Sequence, residues 1–173
     1  TDDVVGPNLG RSREFTLRVW SPRERHEQNL ARLAELSEKL LRQLGGRLPG
    51  PGDDATARAG LGADAQQLVV ELGTQASAFA DDTLADPKLA KALTEMRDRL
   101  DKASAAEAKL LDKVDGSRGP VRGLSARMAG SDARIVVELE DDVLALADWL
   151  ERERLEGVLD IADEVAGHRK RLA

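Results

Sequence analysis

At 173 residues the chain is one ordinary domain, or one long hairpin with a second element attached. Hydrophobic residues make up 41 % of it, but aromatics only 2 %, with no Tyr, two Phe and two Trp, while 34 % is charged. A core of Leu, Ala and Val inside so charged a chain suits thin layers of helices and suits a thick β-sandwich poorly. The net charge of −6 opposes general nucleic-acid binding, which needs a positive surface to displace counterions. The absence of Cys excludes disulfides, thiolate catalysis and Cys-based metal sites. No apolar run reaches the roughly 18 residues of a membrane helix.

In chain order, the first element is the stretch "GRSREFTLRVWSP", residues 10–22. Phe15, Leu17 and Val19 alternate with Glu14, Thr16 and Arg18, which predicts a β-strand. Asp2 and Asp3 before Val4 and Val5 could open a second short strand. Two short strands alone are marginal in water, so their partners are expected in an upstream β-domain, with residues 1–20 packed loosely or lying along the helices. Arg11, Arg13 and Arg18 read as edge charges that discourage further strand pairing.

Four helices follow, predicted at about 22–45, 63–83, 87–115 and 131–173, so the fold class is all-α, an antiparallel bundle or long helical hairpin. Ser21-Pro22-Arg23-Glu24 combines an N-cap, a first-turn proline and a capping box. Leu30, Leu33, Leu40 and Leu44 then form a stripe widened by Leu36 and Leu41, which Gly45-Gly46 is expected to stop. Residues 47–64, "RLPGPGDDATARAGLGAD", read as a flexible loop. Leu68, Leu72 and Phe79, flanked by Val69 and Ala76, mark the second helix. Asp86-Pro87 starts the third, whose stripe is Leu89, Leu93, Met96, Leu100, Ala103, Leu110 and Val114. A second Gly-rich loop contains Leu124 and Met128 in a possible helical turn. Ser131-Asp132 is expected to cap the fourth helix, with Ile135, Leu139, Val143, Leu146 and Leu150 inward and the pattern continuing through Val158, Ile161, Ala162, Val165 and Leu172. Gly157 weakens it by about 1 kcal/mol without ending it. With no C-cap at its end and Thr1 at the chain start, the sequence reads as a piece of something longer.

Candidate chemistry is sparse, and each candidate has a plain alternative. The acidic run Glu138, Glu140, Asp141 and Asp142 could hold a divalent cation, but successive helix positions diverge, so a solvated face is the favoured reading. Asp81, Asp82 and Asp86 could share a cation, yet Asp at a helix start is better explained by capping and the helix dipole. His26 and His168 could act as acid and base, although neither sits in a nucleophile-His-acid pattern or a Glu-x-x-His metal motif. "SRGPVRG" is not a phosphate-binding loop. The tail His168-Arg169-Lys170-Arg171 could meet phosphate or lipid head groups, or simply complement a helix C-terminus. Trp20 and Trp149 read as plugs where layers meet, and an exposed Trp149 would instead mark an interface. No catalytic, cofactor or metal residue is therefore assigned, and no cofactor is expected.

The stretch "DDVVGPNLGRSREFTLRVWSPRERHEQ" resembles the last strand pair and exit of an Ig-like β-domain in an uncharacterised family of large bacterial envelope proteins. "LADWLERERLEGVLDIADEVAGHRKRL" is similar to the long helices of that family. The resemblance implies a parent with N-terminal transmembrane helices, a β-domain and a long helical region, hence a periplasmic or envelope location. It carries no catalytic residues. Two functions are compatible with these readings. One is a non-enzymatic structural or protein-interaction module, with a protein partner or self-association and membrane contact only through the parent. The other is a helical-bundle sensor that binds a small ligand.

Overall fold

The computed structural model describes residues 21–113 and 120–172, with side chains from 160 onward only at 162, 163 and 166. The expected strand, Trp20, and Val114 lie outside the described residues. Four helices are observed: α1 Pro22–Arg47, α2 Ala55–Ala80, α3 Pro87–Asp112 and α4 Leu124–Leu172. The fold is an all-α bundle in which each helix packs against its two sequence-adjacent partners and α4 returns to α1, with α2 and α3 packed most extensively.

The local start signals operate as read. Ser21 Oγ accepts from the Glu24 amide at 3.1 Å, and Glu24 returns a carboxylate to the Ser21 amide at 2.9 Å. Asp86 caps α3 through the Lys88 amide, with Pro87 in the first turn. The core is the predicted stripe set: Leu33, Leu36, Leu40 and Leu44; Leu68, Leu72 and Phe79; Leu89, Leu93, Met96 and Leu100; Ile135, Leu139, Leu146 and Leu150. Leu41 and Leu110 are exceptions, exposed to solvent.

Three boundaries differ from expectation, each for a reason that lies elsewhere in the chain. α1 runs through Gly45-Gly46 because Arg47 is held by Glu107 on α3 and by the Leu61 carbonyl on α2. The second helix begins at Ala55 rather than 63. Asp54 caps it by accepting from the Thr56 and Ala57 amides, and Arg58 anchors its first turn, so half of the expected loop is helical. The fourth begins at Leu124 rather than 131, because the Asp53 carboxylate reaches across from the α1–α2 loop to the Gly123 and Ser125 amides at 3.1 and 2.7 Å. Hydrogen bonds from Ser125 and Gly123 hold that carboxyl below its ordinary range. Gly123 supplies the positive φ, +77°, that the turn into α4 requires. Ser131 and Asp132 therefore sit inside α4, and Leu124 and Met128 are fully buried core residues of its first turns.

Helices on opposite corners of the bundle barely meet through their backbones, yet two buried arginines bridge them. Arg47 of α1 forms a bidentate pair with Glu107 of α3, at 2.9 and 2.8 Å, and both side chains are essentially inaccessible (0 % and 1 %). Arg58 of α2 reaches Asp132 of α4 at 2.9 Å while its Nε donates to the Gly52 carbonyl. With so few aromatics in the chain, these guanidinium side chains are the largest that fill the loop end of the core. Removing one member of such a pair strands a buried charge, at about 3–5 kcal/mol. Arg47→Met or Glu107→Leu alone should cost that much in urea denaturation, and the double variant should recover most of the loss. Single-variant losses below about 1 kcal/mol, typical of an exposed pair, would contradict the buried geometry.

Candidate functional site

The opposite end of the bundle holds a second polar cluster. It is assembled from three places: His26 and Asn29 on the first turns of α1, Asp82 in the α2–α3 turn, and Glu153 on α4. His26 Nδ1 lies 3.1 Å from Asp82 Oδ2, and His26 Nε2 lies 3.6 Å from Glu153 Oε2. Asn29 Nδ2 donates to the same Asp82 oxygen at 2.8 Å, the Leu84 amide donates to its other oxygen, and the Asp86 amide donates to Glu153. His26 and Asn29 are three residues apart, which on a helix places both toward the same neighbour.

The two carboxylates are tuned in opposite directions. Burial raises the Glu153 carboxyl, and does so more strongly than the Asp86 amide and His26 lower it. Burial also acts to raise Asp82, but Asn29, the Leu84 amide and His26 together outweigh it, so its carboxyl titrates below its ordinary value. The imidazole is thus clamped between two acids, one facing each ring nitrogen. A nucleophile-His-acid arrangement would leave one nitrogen facing a hydroxyl or thiol. Here each ring nitrogen faces a carboxylate. Because the carboxylates lie on opposite edges of the ring, they do not converge on one point in space, and the described residues contain no group of three His, Asp or Glu arranged to hold a metal ion. The arrangement joins α1, the turn and α4 at their common end.

Beside this clamp an open groove of about 550 Å³ is bordered by Pro22, His26, Leu30, Leu84, Glu153 and Val158. The other sequence candidates are distributed elsewhere. Asp86 is a helix cap, as expected, while Asp81 closes α2. The acidic run corrects the reading of a wholly solvated face. Glu140 and Asp141 are exposed, Glu138 pairs with Arg134 at 3.0 Å, and Asp142 is buried against Arg99 of α3. Asp142 loses its hydration while Arg99 keeps about half of its exposure. Burial therefore raises Asp142, and the hydrogen bond to Asp142 raises Arg99. Trp149 is half-buried against the core with the Arg152 guanidinium 4.8 Å above its ring. The side chains of His168 and the basic tail lie outside the described residues.

The apolar pattern after Leu150 also departs from expectation. Leu155, Val158 and Leu159 are exposed, with Val158 bordering the open groove beside the start of α1. Val137 and Leu144 are exposed as well, so among the described residues α4 carries five of the ten large exposed hydrophobic ones. At about 100° per residue, Val137, Leu144, Leu155, Ala162 and Ala166 fall within roughly 20° of one line, which the exposed Asp148 shares, diametrically opposite the buried Ile135, Leu139 and Leu146. α4 thus carries a second, outward line of apolar residues, interrupted by Asp148.

No family model, curated protein or solved structure matches this chain.

An acid whose folded-state pKa is raised favours folding below its unfolded value, and that contribution is lost as pH rises through the folded value; a lowered pKa gives the reverse. Glu153→Gln should therefore gain stability relative to the parent as pH rises from below the ordinary Glu value of 4.5 to neutrality. Asp82→Asn should lose stability relative to the parent as pH rises through the ordinary Asp value of 3.8. Urea denaturation across that pH series checks both, and slopes of the same sign would contradict the clamp.

Proposed function

We propose that the chain is a non-enzymatic protein-interaction module whose working surface is the outward face of α4. The observation that carries this reading is the second apolar stripe. On a helix whose opposite face already serves the core, Val137, Leu144 and Leu155 are 56 %, 69 % and 59 % exposed along one line. Singly scattered surface leucines need no explanation, but an aligned series on one helix is the pattern of a helix-docking face. The buried clamps support the same role, since they hold α4 rigidly against the bundle and fix the direction of its stripe. The resemblance of the N-terminal stretch and of α4 to large envelope proteins supports a place in an envelope-anchored parent, where such a module would serve as a spacer and assembly surface.

A second reading, a ligand-sensing bundle, is favoured by the groove between Leu30, Leu84 and Val158. Its open form and its polar rim of His26 and Glu153 favour a small molecule that has both apolar and polar parts. A bound ligand at 100 times its dissociation constant would add about 2.7 kcal/mol, visible as a thermal shift in a metabolite screen.

The interaction reading is tested by placing a photo-crosslinking amino acid at Leu155 in the producing cells, with Val70 on α2 as an exposed apolar control. Protein adducts are expected at 155 and not at 70. Adducts at neither position, or equally at both, would contradict it.

A further inference from the structure

We infer that the outward face of α4 docks a second copy of this chain, with the two α4 helices antiparallel and their two-fold axis near Leu155–Val158. The inference rests on the interaction reading above and names its partner. Two observations choose the partner and the direction.

The first is where the bundle stops. α1, α2 and α3 have 26 residues each, about 39 Å, whereas α4 has 49, about 74 Å. Glu153 is the last buried described residue of α4. Beyond it, Leu155, Val158 and Leu159 are between 59 % and 65 % exposed, and Ala162 and Ala166 are exposed on the same side. Among the described residues, nothing buries that apolar surface. A pair of such arms covers each other, and each bundle then lies behind its own α4, so the two do not collide.

The second is the distribution of charge along the helix. From Ile135 to Glu151 it carries Glu138, Glu140, Asp141, Asp142, Asp148 and Glu151, with no base. From Val165 to Leu172 it carries Arg169, Lys170 and Arg171, with no acid. Glu138, Asp142 and Asp148 are matched within the chain by Arg134, Arg99 and Arg152. Glu140, Asp141 and Glu151 are exposed on the outward half of the helix. A parallel copy would stack acidic segment on acidic segment. An antiparallel copy centred near 155–158 brings the basic segment of each helix alongside the acidic segment of the other, twice by symmetry. Charge patterns of this kind set helix direction and partner choice. An isologous contact also needs only one self-complementary patch, which this helix contains.

Sedimentation velocity of the purified full chain across micromolar to millimolar concentration tests the inference. A reversible monomer–dimer equilibrium is expected, and Leu155→Glu should weaken it at least tenfold while leaving helix content unchanged. Glu140→Lys with Asp141→Lys should weaken it, as should Arg169→Glu with Lys170→Glu, and all four changes in one chain should restore it. The chain has no cysteine, so direction can be read by disulfide trapping. Val158→Cys should cross-link to itself. Leu144→Cys should not, because an antiparallel pair separates the two copies of position 144 by roughly 38 Å. A monomer at every concentration, a Leu144→Cys self-cross-link, or failure of the charge reversal to restore pairing would overturn the inference. A monomer that still forms Leu155 adducts with a different polypeptide in cells would overturn this inference alone and leave the interaction reading standing.

Discussion

The structure depends on one helix serving two surfaces. α4 supplies Ile135, Leu139, Leu146 and Leu150 to the core and, half a turn away, sets Val137, Leu144 and Leu155 into solvent. A helix in a closed bundle needs only the first of these faces. Among the described residues, nothing buries the outward face or the length of α4 beyond Glu153. Everything that ties α4 down acts to keep that face in a defined direction: the Asp53 cap at its start, Arg58–Asp132 and Arg99–Asp142 along it, and His26–Glu153 where the bundle ends.

Those ties are polar because the composition leaves little alternative. A bundle end needs a wide side chain to span the gap between helices on opposite corners, a position that aromatics commonly fill. Here the described core contains one Phe, and the spanning side chains at the loop end are Arg47 and Arg58. Their long stems pack as hydrocarbon while the guanidinium meets a carboxylate in a bidentate or near-bidentate pair. Such pairs add little net stability compared with a well-packed apolar substitute, but they penalise a wrong pairing heavily, since a misplaced helix leaves a charge stranded.

What was legible in the sequence follows the range of the interactions. Caps made within four residues, at Ser21–Glu24 and Asp86–Lys88, were readable, as were the leucine stripes, because helical period places Leu33, Leu36 and Leu40 or Leu89, Leu93 and Met96 on one side whatever the tertiary context. Features made across the chain were not. The start of α4 depends on Asp53, some seventy residues away in sequence, and the continuation of α1 through Gly45-Gly46 depends on Glu107. The acidic run is linear in sequence but divides by helical angle, and only Asp142 turns inward to Arg99. His26 was visible as a titratable residue, yet its meeting with Asp82 and Glu153 depends on which helix ends come together. The outward line of α4 was not singled out: Val137, Leu144 and Leu155 stand outside the expected core stripe, and only Ala162 was counted in it, because apolar spacing alone does not say on which side a neighbour stands.

The central claim is that the α4 segment past the bundle is sheltered by a second copy of this chain. Amide hydrogen exchange of a peptide covering residues 154–166, measured over a hundredfold range of protein concentration, tests this most directly. Protection in that peptide should rise with concentration, while the core peptides around Leu36, Leu72 and Leu93 stay unchanged. Exchange in 154–166 that is independent of concentration, with the core peptides as steady reference, would contradict the account.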